Sequence, residues 1–360
     1  LVNNNLHGNE YLGKSTCETR TLQGKNFSNV WKRMKSGFCF TNINSSRISK
    51  ELKWMMNNKD FVYRSIERSK PYLYHILGHL ESRNLPLELA LLPMVESGFQ
   101  PYAYSSSRAA GIWQFIPPTA REYGLKMNWL YDGRRDVLES TKAASYFLGD
   151  MHRHFKGNWL LAIASYNTGA GNVGKAIGRA NNLFTSPTYW DLNLPRETEL
   201  YVPRLLALAK IIYNPSRYGF NLPKIKNKAV TKYVKFYDVI DFYTLSVITG
   251  INQNELMTLN PGFSTWIIDP SQQNVLLLPN KAAKSFKQRY NKVTKSIYTN
   301  KVHKVVKGDS LYKISRIYNV KIAALKKGNN IKGDLIYINQ KIKIPSEVTN
   351  ISKESIIING

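Results

Sequence analysis

Between about Asp60 and Tyr218, apolar residues return every three or four positions, the period of one face of a helix. "FVYRSIERSKPYLYHILGHLESR" shows this first, and "ESTKAASYFLGDMHRHF", "WLLAIASYNTGAGNVGKAI" and "ETELYVPRLLALAKIIYN" continue it up to Pro215. Pro86 opens "LPLELALLPMVES" near a helix start, where its missing N–H does no harm. Pro93 and Pro203 fall inside helical patterns and predict a helix start or a kink. The spacing predicts a mainly α domain over residues 59–223. Residues 1–58 are polar and Asn-rich, with a short amphipathic patch at "NVWKRMKSGFCF", and read as an arm packed on that domain.

After Pro223 the pattern changes. "KIKNKAV" reads as a basic linker. Residues 229–280 combine a strand-like "YVKFYDVI", a helical "LSVITGINQNELMTLNP" and a closing "NVLLLP". Residues 301–345 repeat the order more cleanly: "HKVVKGDSLYKISRIYNVKIAALKKGNNI" and "INQKIKIP" read strand, helix, helix, strand. Asp309 or Ser310 is suited to cap the first of these helices, and Asn319 to end it. The two segments form a weak repeat of roughly fifty residues and predict small α+β modules of βααβ order.

The net charge of +27 admits nucleic acid, an anionic membrane or an anionic polymer such as a cell wall as partner. A general drift toward Lys, Asn, Ile and Tyr explains it equally well. The lysines are scattered, without a recognition-helix or zinc-finger pattern, so nucleic acid is not the expected partner. No run of about 18 apolar residues predicts a membrane span. A chain that starts at Leu1 without an apolar leader fits either a trimmed export signal or a recombinant start. Cys17 and Cys39 are too few for a metal cluster of the CxxC type and read as two unpaired thiols, with pairing reserved for an oxidising compartment. His75 and His79 lie four apart, but Ile76 stands where a metalloprotease needs Glu. His152 and His154 have no partner cluster. Neither a metal nor a cofactor is expected.

One acid stands out. In "ALLPMVESGFQPYAYS" a run of apolar helix formers ends on Glu96, followed by Ser97, Gly98 and a polar loop. An acid emerging from an apolar helix loses water contacts, which predicts a pKa above the ordinary value of about 4.3. Trp113, Phe115 and Tyr166 are candidates for the remaining walls, although Trp and Phe in such places are more often core. Gly98 and Gly111 would let backbone approach a ligand closely.

"ESGFQPYAYS", "GIWQFIPPTA" and "SYNTGAGNV" together resemble the soluble lytic transglycosylase catalytic domain, a lysozyme-like fold. "LPLELALLPMVESGF", "WLYDGRRDVLESTKAASYFLGDMHRHFKGNWLLAIASYN" and "LPRETELYVPRLLALAKII" are similar, more closely, to the membrane-bound lytic murein transglycosylase D group, over about residues 30–223. Residues 302–345 resemble a LysM module, and residues 229–280 a degenerate one. The resemblance implies peptidoglycan glycan strands as partner, a location in the bacterial cell envelope, and periplasmic placement with outer-membrane attachment. It implies Glu96 as the sole catalytic acid, with Ser105, Gln114, Tyr166 and Asn167 contacting substrate. Such an enzyme cleaves the bond between N-acetylmuramic acid and N-acetylglucosamine using the substrate's own C6 hydroxyl, and leaves a 1,6-anhydro end. The LysM-like segment, with eleven basic residues against Asp309 and Asp334 over residues 301–345, has no catalytic set and is expected to tether the enzyme to the polymer.

Two departures stand out. The family usually has Gly where Arg108 stands, and a basic residue where Asn172 stands. Arg108 is expected to alter the cleft edge and to reach a carboxylate of a stem peptide. Three other readings stay open: a lysozyme-type muramidase with Asp132 or Asp136 as second carboxylate, a non-catalytic wall-binding protein, and a nucleic-acid binder argued from charge alone.

Overall fold

The structure is a computed structural model that describes residues 27–180, 187–297, 302–318 and 320–344. It divides into two units. The first holds residues up to 127 and 133–229, and the second holds 128–132 and the chain from Val230.

The first unit is helical throughout its described residues, as the three- and four-residue spacing predicts. α1 (Val30–Ser36), α2 (Ser46–Asn57), α3 (Lys59–Ser69) and α4 (Leu73–Ser82) lead to a 3-10 turn at Leu87–Leu91 and the short α5 (Leu92–Ser97). α6 (Pro117–Glu122), α7 (Val137–His154), α8 (Trp159–Thr168), α9 (Ala170–Ala180) and α10 (Arg196–Tyr213) follow. "WLLAIASYNTGAGNVGKAI" becomes two helices rather than one. Gly169 adopts φ 85° and ψ 146°, a region open only to glycine, and breaks the ladder there.

α10 is the centre of this unit. Thr198, Tyr201, Val202, Leu205, Leu206, Leu208, Ala209, Ile211 and Ile212 are all buried, and the helix packs on α2, α5 and α8. Arg204 ties it to the buried Glu51 of α2 at 2.9 Å. Pro203 inside it cannot donate to the carbonyl of Glu199. The Tyr189 hydroxyl lies 3.3 Å from that oxygen and 3.0 Å from the carbonyl of Thr198, supplying a donor where the helix lacks one.

Cys39 is disulfide-bonded, which corrects the reading of two unpaired thiols. The other cysteine of the chain, Cys17, lies outside the described residues. The Cys39 segment is also pinned by a buried acid. Glu88 is fully inaccessible, and its Oε1 accepts the backbone N–H of Cys39 and that of Phe40, the latter at 2.7 Å. Its Oε2 has no partner among the described residues. Loss of water raises its pKa to about 8, only partly opposed by those amides.

The second unit is built from short antiparallel pairs with helices between them. β1 (Thr231–Lys235), β2 (Ile240–Asp241), α11 (Phe242–Thr249), α12 (Gln253–Leu259), β3 (Ile267–Ile268) and β4 (Val275–Pro279) make the first module, with β1 paired to β4 from Thr231↔Pro279 to Lys235↔Val275. α13 (Asn280–Ile297) was not expected from the spacing. Its Ala282, Ala283, Phe286 and Tyr290 are buried, and the Tyr290 hydroxyl accepts the N–H groups of Tyr237 and Asp238.

The second module runs β5 (Val302–Lys304), α14 (Leu311–Tyr318), α15 (Ile322–Asn329) and β6 (Lys341–Lys343), the predicted order. Ser310 accepts the N–H of Lys313 and caps α14, whereas Asp309 turns inward to His303 at 2.9 Å. Asn319 lies outside the described residues. One continuous apolar core runs through both modules and takes in Leu130 and Tyr131, and Trp266 of the first stacks on His303 of the second.

Glu88 sets a pH test. Its pKa is raised on folding, so its contribution to stability is complete below about 4.5 and is lost as pH rises through about 8. Glu88→Gln keeps the acceptor oxygen and removes the titration. Melts of both proteins at pH 5 and pH 8.5 should show the variant gaining on the wild type at the higher pH. A constant difference would mean that Glu88 is not the titrating group.

Candidate active site

Glu96 lies in the last turn of α5. "LALLPMV" buries Leu92, Pro93 and Met94 and leaves the next residues at the edge of the core. Gly98 then ends the helix in the left-handed region at φ 57°, its N–H returning to Met94 and Pro93. A Cβ there would press on Ser65 Oγ at 3.2 Å. The Ser97 hydroxyl holds the carbonyl of Ile112 at 3.0 Å, which brings the "GIWQF" loop back over the helix end.

That loop is unusually twisted. Phe99, Arg108 and Gln114 all have positive φ, 57°, 63° and 51°. Gly111, at φ 79°, lies so close to Arg134 that a Cβ would stand 2.0 Å from its carbonyl oxygen. Gly111 therefore serves the approach of two backbone segments, not of a sugar. The buried Arg134 donates to the carbonyl of Arg108 at 2.6 Å. Non-glycine residues in left-handed geometry are costly and persist where surrounding contacts impose them, as at functional sites.

The result is a cavity of about 450 Å³ with Glu96, Ser105 and Gln114 on its lining, beside Phe61, Arg64, Arg68, Val95, Gly98, Gln100, Ala103 and Tyr104. Gln114 spends its amide N–H groups on the carbonyls of Gly111 at 2.7 Å and Ala103 at 3.4 Å. Ser105 Oγ accepts the N–H of Ala109 and closes the turn that carries Arg108. Both residues shape the wall as well as facing the space.

Sequence reasoning missed Tyr201. From α10, its hydroxyl donates to Glu96 Oε1 at 2.5 Å. Its signal lay in "ETELYVPR", a polar turn before an apolar helix, but nothing in that wording points to residue 96. Burial of the Glu96 carboxyl raises its pKa to about 8; the Tyr201 hydrogen bond opposes the rise and the negative charge of Glu197 adds to it. Glu96 Oε2 has no hydrogen-bond partner among the described residues.

The other expected residues take different places. Trp113 is wholly buried and donates to Thr141 at 2.9 Å, and Phe115 is buried beside it. They belong to the core and not to the cavity wall. The Tyr166 hydroxyl goes to the carbonyl of Trp113 at 2.8 Å and holds the loop, while Tyr166 also feels the charge of Glu96. Asn167 donates to Glu197 at 3.3 Å and accepts from Thr198 at 2.6 Å. Tyr166 and Asn167 stand outside the lining of this cavity. Asp136 caps α7, and Asp132 belongs to the second unit, where its N–H meets Gly262. Neither is among the residues that line the cavity, and the carboxylate that acts on Glu96 is Glu197. Arg108 is exposed and is not among the residues that line this cavity. Asn172 bonds back to Thr168 at the end of α8.

Comparison with known proteins adds the following. The family model of the transglycosylase SLT domain matches residues 76–187, that of the LysM domain matches 303–345, and the LysM-like domain of lytic transglycosylase MltD matches 230–295. Membrane-bound lytic murein transglycosylase D of Escherichia coli strain K12 is 34% identical over 311 residues, covering 83% of this chain and 69% of that protein. Membrane-bound lytic murein transglycosylase F of Shewanella sediminis is 27% identical over 201 residues, 54% of this chain and 38% of its own.

Two outcomes follow from this geometry. Arg108→Gly relieves a left-handed Arg, worth about 1–2 kcal/mol, against about 0.4–1 kcal/mol of added freedom in the unfolded chain. The melting temperature should rise by a few degrees at most; a fall would reveal a packing role for the guanidinium. In Tyr201→Phe, loss of the hydrogen bond that lowers the Glu96 pKa should move the alkaline limb of the kcat/KM profile to higher pH, with a rate loss of about tenfold or more. An unshifted limb would leave Tyr201 a purely structural residue.

Proposed function

The chain belongs to the membrane-bound lytic murein transglycosylase D family, and from that premise we propose that Glu96 performs both proton transfers of its peptidoglycan-cleaving reaction. The activity is that of a peptidoglycan lytic transglycosylase, a lyase. The observation that carries the assignment of Glu96 is a single raised carboxyl on the lining of the cavity, held by Tyr201.

Cleavage begins with a proton given to the glycosidic oxygen. With a pKa of about 8, Glu96 is about nine-tenths protonated at pH 7, whereas an ordinary Glu is well under one per cent. Because Tyr201 donates to Oε1, the acid's proton resides on Oε2, the oxygen without a protein partner. The bond to the leaving sugar breaks as the transition state gains oxocarbenium character. The C6 hydroxyl of the same N-acetylmuramic acid then attacks C1, and Glu96, now a carboxylate, takes its proton. Glu96 ends as it began, no water is consumed, and a 1,6-anhydro ring closes. The nucleophile is already part of the sugar, so proximity supplies part of the rate. Tyr201 keeps the carboxylate oriented between the two steps.

Glu88 shows why a raised pKa alone does not make a catalyst. It too is raised to about 8, but it is inaccessible and engaged with backbone. Of the two, Glu96 combines the shift with open space. Ser105 and Gln114 are assigned to substrate contact from the same lining, while Tyr166 and Asn167 support the loop and α10.

Residues 59–223 are assigned as the catalytic domain, with residues 1–58 as an arm on it, and 229–280 and 301–345 as wall-binding modules. The protein acts in the cell envelope on peptidoglycan. No helix among the described residues is long and apolar enough to cross a membrane. Periplasmic placement with attachment to the outer membrane is the finer proposal, supported by relatives named membrane-bound.

Glu96→Gln preserves shape and removes the proton donor. It should fold normally and lose nearly all cleavage, while wild-type digests should end in 1,6-anhydro-N-acetylmuramic acid, one water lighter than a hydrolytic product. Mass spectrometry of digested peptidoglycan reads both. Reducing N-acetylmuramic acid ends from the wild type would replace the mechanism with a hydrolytic one, and full activity in the variant would remove Glu96 from the chemistry.

A further inference from the structure

The cavity beside Glu96 carries two positive charges that the proton transfers do not use. Phe61, Arg64 and Arg68 lie on its lining at i, i+3 and i+7 of α3, one stripe of the helix. The opposite face, with Val62, Ser65, Ile66 and Ser69, is buried. Both arginines are exposed. Arg64 has no hydrogen bond or ion pair with any described residue. Arg68 gives one N–H to the carbonyl of Gly98 at 3.2 Å. Of the two acids on their helix, Glu67 is taken by Lys70 at 2.5 Å and Asp60 lies in its first turn, and Glu96 is the one carboxylate on the lining.

These charges do not serve Glu96. A cation within about 4–6 Å of a carboxyl lowers its pKa by 1–3 units. The Glu96 pKa is instead raised, and the groups that act on it are its burial, Tyr201 and Glu197, with neither arginine among them. Arg64 and Arg68 nonetheless share the lining of one cavity with it. Two planar cations on one lining, with Arg68 already giving one N–H to Gly98, suit an anion with two oxygens, which a guanidinium fork grips in a bidentate way.

On the transglycosylase reading, on which this inference rests, the substrate's carboxylates hang from the lactyl ether of N-acetylmuramic acid. We propose that Arg64 and Arg68 form a subsite for a carboxylate of the peptide stem on that lactyl group, so that the enzyme selects glycan bearing anionic stems. Arg108, the residue expected from the sequence to do this, lies off the cavity, and α3 supplies the cations instead.

The test uses glycan fragments in three forms: stem carboxylates free, stem carboxylates converted to amides, and stems removed to expose the lactyl carboxylate. The wild type should cleave the free-carboxylate form about tenfold more efficiently, in kcat/KM, than the amidated form. Arg64→Gln should bring that ratio to within about twofold of unity, and Arg64→Lys should retain part of it. Arg64 is the better probe because Arg68 also holds the Gly98 carbonyl. A wild-type ratio near one, or a ratio that survives Arg64→Gln, overturns the subsite. An Arg64-dependent preference for the stem-free form over the amidated form, as strong as for free stems, overturns the stem assignment in favour of the lactyl carboxylate. Calorimetric binding of the same fragments to Glu96→Gln, with and without Arg64→Gln, reads the subsite without turnover. A failure to form 1,6-anhydro ends is thereby distinguished from a failure of the arginine subsite.

Discussion

The catalytic unit depends on keeping one carboxyl protonated at neutral pH without sealing it off. Burial of Glu96 at the end of an apolar helix provides the first condition, since an ionised group there forfeits its hydration. The cavity provides the second. The Tyr201 hydroxyl works against the pKa rise and in favour of position. Desolvation wins in sign, so the carboxyl holds its proton toward neutral pH while one of its oxygens is fixed. A stronger cationic partner would fix it better and would take away the proton.

Much of the surrounding architecture serves that compromise. α5 is short and ends in a left-handed Gly98, so the chain turns sharply just after the acid. The following loop folds back through Phe99, Arg108 and Gln114, each held at positive φ, and is secured by Ser97, Tyr166 and Arg134. These contacts are mostly side chain to backbone carbonyl. They fix the loop's shape without presenting charge to the acid. α10 contributes from the other side: Pro203 interrupts its ladder, Tyr189 replaces the missing donor, and Tyr201 comes from the same stretch.

The second unit has a different logic. It is a pair of small modules with a common apolar core, continuous from the residues around Tyr131 to Ile344. Small modules bury too little surface to be robust alone. Sharing a core, with Trp266 against His303 and Tyr318, offsets that. Such a unit is suited to holding the enzyme on an insoluble polymer, which raises the effective concentration of glycan near the catalytic cavity.

What could be read from sequence was local. The helical period from Asp60 to Tyr218, the strand–helix–helix–strand order of the last module and the exposed end of "LALLPMV" all depend on residues a few positions apart. Ser105 and Gln114 came from the resemblance of their motifs and not from spacing. α13 escaped notice because "KAAKSFKQRY" is mostly polar and buries a narrow stripe. The tertiary structure decided everything that depends on distance along the chain. Tyr201 reaches Glu96 from 105 residues away, and α3 brings Arg64 and Arg68 to the cavity from a helix whose own pattern shows only an ordinary charged face. It also took Trp113 and Phe115 into the core and joined Cys39 in a disulfide. Periodicity says which side of an element is buried, because burial follows from the spacing of apolar side chains. It is silent on what that side meets, because the packing of one helix on another is set by the shapes of both.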